Sequence, residues 1–162
     1  MNDQLSPVHL LGFPLALYQQ GQEHHSELMR EFSLIALGEE QESHPTVPAR
    51  LLALVDTLTR QYGDYTDAVD LERDAALEAG LESVDLTYHV PAAAAEASRA
   101  LGAMLDEADE FCRSGGTLLT LAPPPRVQQF RDWYLQEFTH QISGAQPVPW
   151  PDYLRAAEPD RS

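Results

Sequence analysis

A chain of 162 residues with twenty-six Asp and Glu against ten Lys and Arg carries a net charge of −16. That charge repels the nucleic-acid backbone and the anionic membrane surface alike, so neither is expected as a partner. The length suits one domain with a continuous core, and a lone cysteine, Cys112, excludes a disulfide framework and a cysteine-rich metal site and fits a reducing cytoplasm.

The opening stretch MNDQLSPVHLLGFPLALYQQ has no basic head, and Gly12, Pro14 and Gln19 interrupt its apolar run. It reads as part of the fold, neither signal peptide nor membrane span. Val8 to Tyr18 is expected to be an edge strand bent at Gly12 and Pro14. From about Gln22 to Leu37, Leu28, Met29, Phe32, Ile35 and Ala36 recur at helical spacing opposite Glu23, Glu27 and Glu31, which predicts an amphipathic helix closed by Gly38. The polar stretch Glu39 to Pro48 reads as a surface loop.

Pro48 suits a first helical position, and Leu51, Leu52, Leu54, Val55, Leu58 and Tyr62 supply a buried face. Gly63 and Asp64 predict a break, followed by a second helix from Thr66 to Ala79 capped by Thr66 or Asp67, with Gly80 at its end. Between Glu82 and Val90 the period changes to two: Val84, Leu86, Tyr88 and Val90 alternate with Asp85, Thr87 and His89, as a half-buried strand requires. Pro91 is expected to start a helix to Arg113 that buries Leu101, Met104, Leu105, Ala108, Phe111 and Cys112. Thr117 to Ala122 reads as a second buried strand after Gly115 and Gly116. A last helix from Pro125 to Ser143 carries Val127, Phe130, Tyr134, Leu135, Phe138 and Ile142, and Gly144 stops it.

These elements point to an α/β or α+β domain, with a small sheet of about three short strands covered by four to five helices; the alternative is an all-α bundle. Residues 1–144 form the expected globular domain. Residues 145–162, with prolines at 147, 149, 151 and 159, form the expected extended tail. Trp150 is expected to clasp the tail to the body or to dock in a partner's groove.

No cofactor signature is present: there is no nucleophile elbow, and the Gly115–Gly116 pair precedes a strand where a phosphate loop would follow one. Glu23, His24, His25 and Glu27 cluster, but adjacent histidines diverge by about 100° on a helix, so no metal is expected there. Glu137 and His140 have the Glu-x-x-His spacing of di-iron bundles but lack the second pair that such a site needs. Cys112 lies on an apolar stripe, where a thiol acts as a small hydrophobe. The turn into the last helix offers a place for an anion near Arg126 or Arg131, weakened by three prolines that lack N–H groups.

Two stretches, GFPLALYQQGQEHHSELMREFSLIAL at residues 12–37 and GTLLTLAPPPRVQQFRDWYLQEFTHQISGAQPVPWP at residues 116–151, together resemble a family of small uncharacterised actinobacterial proteins. That family is often encoded near anti-sigma kinases and their STAS-domain antagonists, the parts of partner-switching stress signalling. The resemblance implies regulation through protein contact and carries no catalytic residues. The expectation is therefore a non-enzymatic regulatory or adaptor protein in the cytoplasm that binds a protein partner, such as an anti-sigma or STAS-domain protein, with a homodimer also open. The alternative is a small-molecule sensor or enzyme with a pocket between sheet and helices that uses Tyr88, His89, Arg131 and Trp133.

Overall fold

The computed structural model describes residues 5–38, 47–114 and 123–157. Strand β1 (Leu5–Pro14) leads into helix α1 (Leu15–Gly38), followed by α2 (Val47–Glu78), β2 (Ser83–Pro91), α3 (Ala94–Ser114), α4 (Pro125–Ile142) and α5 (Trp150–Ala157). The fold is α+β: a two-stranded antiparallel sheet and five helices among the described residues. The expected strand at Thr117 to Ala122 lies outside the described residues.

The two strands pair from Leu5 against Pro91 to Pro14 against Ser83, with a register shift between Leu10 and Phe13. Leu10 faces Leu86 and Phe13 faces Val84, so β1 carries one residue more than β2 over this stretch. That bulge resets the alternation: Val8, Leu10 and Phe13 are all buried, where a regular strand would have turned position 12 inward. Gly12 makes it possible with φ +66, and its N–H donates to Asp85 Oδ1 at 2.8 Å. The bend expected from Gly12 is thus a bulge.

The strand ends earlier than its apolar run suggests. Pairing stops at Pro14, and Leu15 to Tyr18 take the first turn of α1, where Leu15 N–H donates to Glu82 O at 3.1 Å. Without a strand partner, the backbone satisfies its own polar groups by coiling.

The expected break at Gly63 is absent, and α2 runs unbroken for 32 residues. A mid-helix glycine costs only about 1 kcal/mol, which packing of α2 against α1, α3 and β2 outweighs. Thr66, expected as a cap, instead turns its hydroxyl back to Gly63 O at 3.4 Å, the arrangement of a helix-interior threonine. Pro91 likewise ends β2 opposite Leu5 and does not start α3. Its missing N–H is tolerated at a strand end, and the helix begins after the turn, at Ala94.

Residues 150–157, expected to be extended, form helix α5. Trp150 is buried and stacks on Tyr153 with ring centroids 5.8 Å apart, so the aromatic clasp onto the body is the arrangement found. Pro151 at the first turn is compatible with a helix, and Tyr153 N–H reaches back to Pro149 O at 3.0 Å.

Two apolar clusters form the interior. One joins the sheet to α4 and α5 through Val8, Leu10, Leu86, Phe130, Trp133 and Trp150. The other joins α1, α2, α3 and α4 through Leu28, Phe32, Leu51, Met104, Ala108 and Leu135. Helix α4 serves both.

The buried network at Gln141 closes the outer edge of β1. Its amide accepts from His9 N–H and donates to His9 O, both at 2.8 Å, and also donates to Glu137 Oε1 at 2.8 Å. Glu137, 3 % exposed, accepts a further bond from Val148 N–H at 2.9 Å. A side-chain amide thereby takes the place of a third strand at one residue of the edge. Glu137 is therefore no surface residue, while His140 is exposed, so the Glu-x-x-His spacing brings no two ligands together.

Gly12 gives a direct test of the bulge. A Cβ there would stand 3.0 Å from Pro151 Cδ, whereas one at Gly80, φ +77, would meet nothing within 4 Å. Gly80→Ala is expected to lose about 1 kcal/mol from backbone strain alone. Gly12→Ala should lose about 1 kcal/mol more, because α5 must also shift. Urea denaturation of the two variants measures the difference.

Candidate functional site

The two apolar clusters do not close on each other. Between them lies a partly open cavity of about 520 Å³, bounded by Leu10, Phe13 and Tyr88 from the sheet side and by Leu28, Leu101 and Leu105 from the helical side. Protein interiors pack to the density of organic crystals, and each uncontacted wall forfeits dispersion energy. A gap of this size is within the range of small-molecule sites.

Apolar and aromatic side chains form the larger part of its wall, and Gln22, His25, Thr66 and several charged side chains supply polar groups. Tyr18 and Tyr62, on α1 and α2, line the space together with Tyr88 of β2 and Tyr134 and Phe138 of α4. Helix α1 places Tyr18, Gln22, His25 and Leu28 along the cavity at spacings of four and three, one helix face. Helix α2 likewise contributes Tyr62, Thr66, Asp70 and Arg73 at spacings of four, four and three. The glycine that fails to break α2, Gly63, is also a lining residue.

Arg73 is one of two guanidinium groups in the wall. Its guanidinium carbon lies 4.2 Å from the centroid of the Tyr18 ring, and its Nη1 and Nη2 pair with Asp70 at 3.0 Å and Asp74 at 3.1 Å. Burial disfavours the Arg73 cation, but Tyr18 and Asp70 outweigh it and hold its pKa above the ordinary value. Burial raises the Asp70 carboxyl, with Arg73 opposing.

The phenols shift together. Burial pushes Tyr88 far above the usual phenol range, with Asp70 adding to the effect, and burial also raises Tyr18 and Tyr134, against the pull of Arg73 and Arg131 respectively. At neutral pH all three are uncharged, so each offers a π face and a hydroxyl. Burial lowers His25, with His24 contributing, and keeps its ring neutral as well.

Arg131 is the second guanidinium of the wall. Its Nη2 donates to Asp109 Oδ2 at 2.8 Å and to Asp106 Oδ1 at 3.0 Å, and Gln128 Nε2 donates to the same Asp109 oxygen at 2.9 Å. The Asp109 side chain is 2 % exposed and that of Arg131 12 %. Asp109 Oδ1 and Arg131 Nε are buried without a hydrogen-bond partner among the described residues.

Of the residues singled out from sequence, the cavity brings together Tyr88 and Arg131. His89 is exposed on the opposite face of β2, and Arg126 is exposed on the first turn of α4. Trp133 and Trp150 are buried in the sheet cluster, with Trp133 Nε1 donating to Val148 O at 2.8 Å. Both are packing groups outside the cavity wall. His24 and His25 do reach the cavity, and among the described residues no three His, Cys, Asp or Glu side chains converge as a metal site. The buried Cys112, its thiol pushed up by burial, lies elsewhere in the helical cluster.

The sequence reading missed Tyr18, Asp70, Arg73 and Tyr134 as a group. The available signal was the i, i+3 and i, i+4 series of Tyr62, Thr66, Asp70 and Arg73 on α2, which the expected break at Gly63 divided. It also missed Asp109, which sits one position from Ala108 of the apolar stripe and is buried with it. No protein-family model, curated protein or solved structure matches the chain.

Proposed function

We propose that this chain is a non-enzymatic ligand-binding protein that takes a small, largely aromatic molecule into the cavity between its two apolar clusters. The observation that carries the reading is the cavity itself, with uncharged tyrosines in its wall and both of its arginines held in ion pairs. Orientation would come from phenol hydroxyls and affinity from buried apolar area. The phenols, ring faces and apolar side chains of the wall are groups suited to binding.

Gly63 allows occupancy and stability to be tested separately. Gly63→Ala is expected to stabilise the protein by about 0.5–1 kcal/mol through helix propensity. Gly63→Phe should project a ring into the cavity and compete with any ligand. In a thermal-shift screen of aromatic amphiphiles at about 1 mM, binders should raise Tm by about 5 °C or more in wild type and Gly63→Ala. Gly63→Phe should respond to none. A screen without a single cavity-dependent shift would remove the reading.

A regulatory role through protein contact is the second reading, and it combines with the first if the ligand controls the contact. Its support is the charge of −16, which favours a basic surface on a partner, and the resemblance of residues 12–37 and 116–151 to proteins encoded beside partner-switching regulators. Calorimetry against anti-sigma and STAS-domain proteins should then show micromolar binding that weakens as salt rises. No binding to either class would remove the partner proposal and leave the cavity untouched.

A further inference from the structure

Resting on the ligand-binding reading, we infer that the cavity selects a lipophilic organic cation, because its aromatic wall is joined to an excess of carboxylates. The wall itself contains Asp67, Asp70, Arg73 and Arg131. Directly behind the two arginines stand Asp74 on Arg73 and Asp106 and Asp109 on Arg131. Two carboxylates in the wall and three beside it thus outnumber two guanidinium groups. Each arginine has two carboxylate partners of its own, which leaves neither with spare charge for an anionic ligand. Asp67 makes no ion pair among the described residues.

An uncharged ring attracts a cation to its face through its quadrupole, and the attraction grows when water is excluded. The structure already contains one such pair: the Arg73 guanidinium over the Tyr18 ring, with Asp70 completing the site. Tyr62, Tyr134, Phe130 and Phe138 offer further faces around the same space. An anion would meet the wall carboxylates of Asp67 and Asp70 and the negative faces of the rings. A neutral aromatic would gain the apolar contact only. The net charge of −16 acts in the same direction at longer range, concentrating cations around the molecule.

The experiment uses three aryl probes on the full chain, two of one tetrahedral shape and opposite charge and one neutral with an oxygen in place of the fourth ring. They are tetraphenylphosphonium (cation), tetraphenylborate (anion) and triphenylphosphine oxide (neutral), each titrated calorimetrically at low and at high salt. The phosphonium is expected to bind at least tenfold more tightly than either of the others. Its affinity should fall several-fold in Asp67→Asn and again in Tyr62→Leu, which keeps apolar bulk and removes the π face. Circular dichroism confirms that both variants are folded; Asp67 is exposed and Tyr62 only half-buried, so neither change empties a core. Equal or tighter binding of the oxide or the borate, with Gly63→Phe blocking it, would overturn the charge selectivity while the cavity reading stands. If none of the three binds at millimolar concentration, both fall.

Discussion

Trp133→Ala is expected to lose about 4 kcal/mol, at the upper end of large-to-small core changes. The indole is 0 % exposed and lies at the junction of the sheet, α4 and α5. Its ring centroid is 5.5 Å from that of Trp150, 6.2 Å from Phe130 and 6.4 Å from Phe13. Alanine would forfeit the buried area, leave a void that the surrounding rings cannot all fill, and strip Val148 O of its donor. Trp133→Phe keeps most of the volume and loses mainly that bond, so about 1–2 kcal/mol is expected. Since a domain holds only about 5–15 kcal/mol in total, the alanine variant should approach the unfolding threshold at physiological temperature. Urea denaturation measures both changes. Hydrogen exchange supplies a second readout: the amides of α5 should lose protection in the alanine variant at denaturant levels where those of α3 keep it. A loss below about 1.5 kcal/mol for Trp133→Ala would show that this junction is not the centre of the core.

The large effect expected at Trp133 was not legible from the sequence in those terms. Helix α4 was readable because its apolar residues recur at helical spacing and Gly144, φ +104, ends it. Strand β2 was readable because Val84, Leu86, Tyr88 and Val90 alternate without interruption. What Trp133 touches depends on α5, and its prolines favour an extended reading until the packing of Trp150 is known. Gly63 shows the same limit: a local helix breaker yields to tertiary packing worth more than its cost. The cavity was the least legible feature, since a gap between two clusters has no sequence signal of its own. Its helical faces, such as Tyr18 to Leu28, Tyr62 to Arg73 and Val127 to Phe138, leave a periodic trace. Tyr88 and Arg131, both singled out from the sequence, lie in the wall, while His89 is turned away by the same alternation that turned Tyr88 inward.

The buried pair at the α3–α4 contact should behave unlike the surface ion pairs of this acidic protein. Asp109→Ala removes the nearer carboxylate from Arg131, leaving a guanidinium only 12 % exposed with Asp106, whose side chain is 70 % exposed, as its remaining acidic hydrogen-bond partner. Stranding a buried charge in this way is expected to lose about 3 kcal/mol. The double variant Asp109→Leu/Arg131→Met replaces both groups by apolar chains of similar size. It should lie within about 1 kcal/mol of wild type, because the desolvation of two ions disappears together with their attraction. A full double-mutant cycle by chemical denaturation gives the coupling. Additive single and double losses would mean that the pair is effectively solvated. The same variants bear on the cavity. Asp109→Ala leaves Arg131 with excess positive charge in the wall, so tetraphenylphosphonium should bind more weakly. The double variant removes that guanidinium and leaves Asp106 without it, so binding should be kept or strengthened. Stability and cation affinity would thus fall together in the single variant and recover together in the double one, an outcome expected only if the buried pair and the cavity share Arg131.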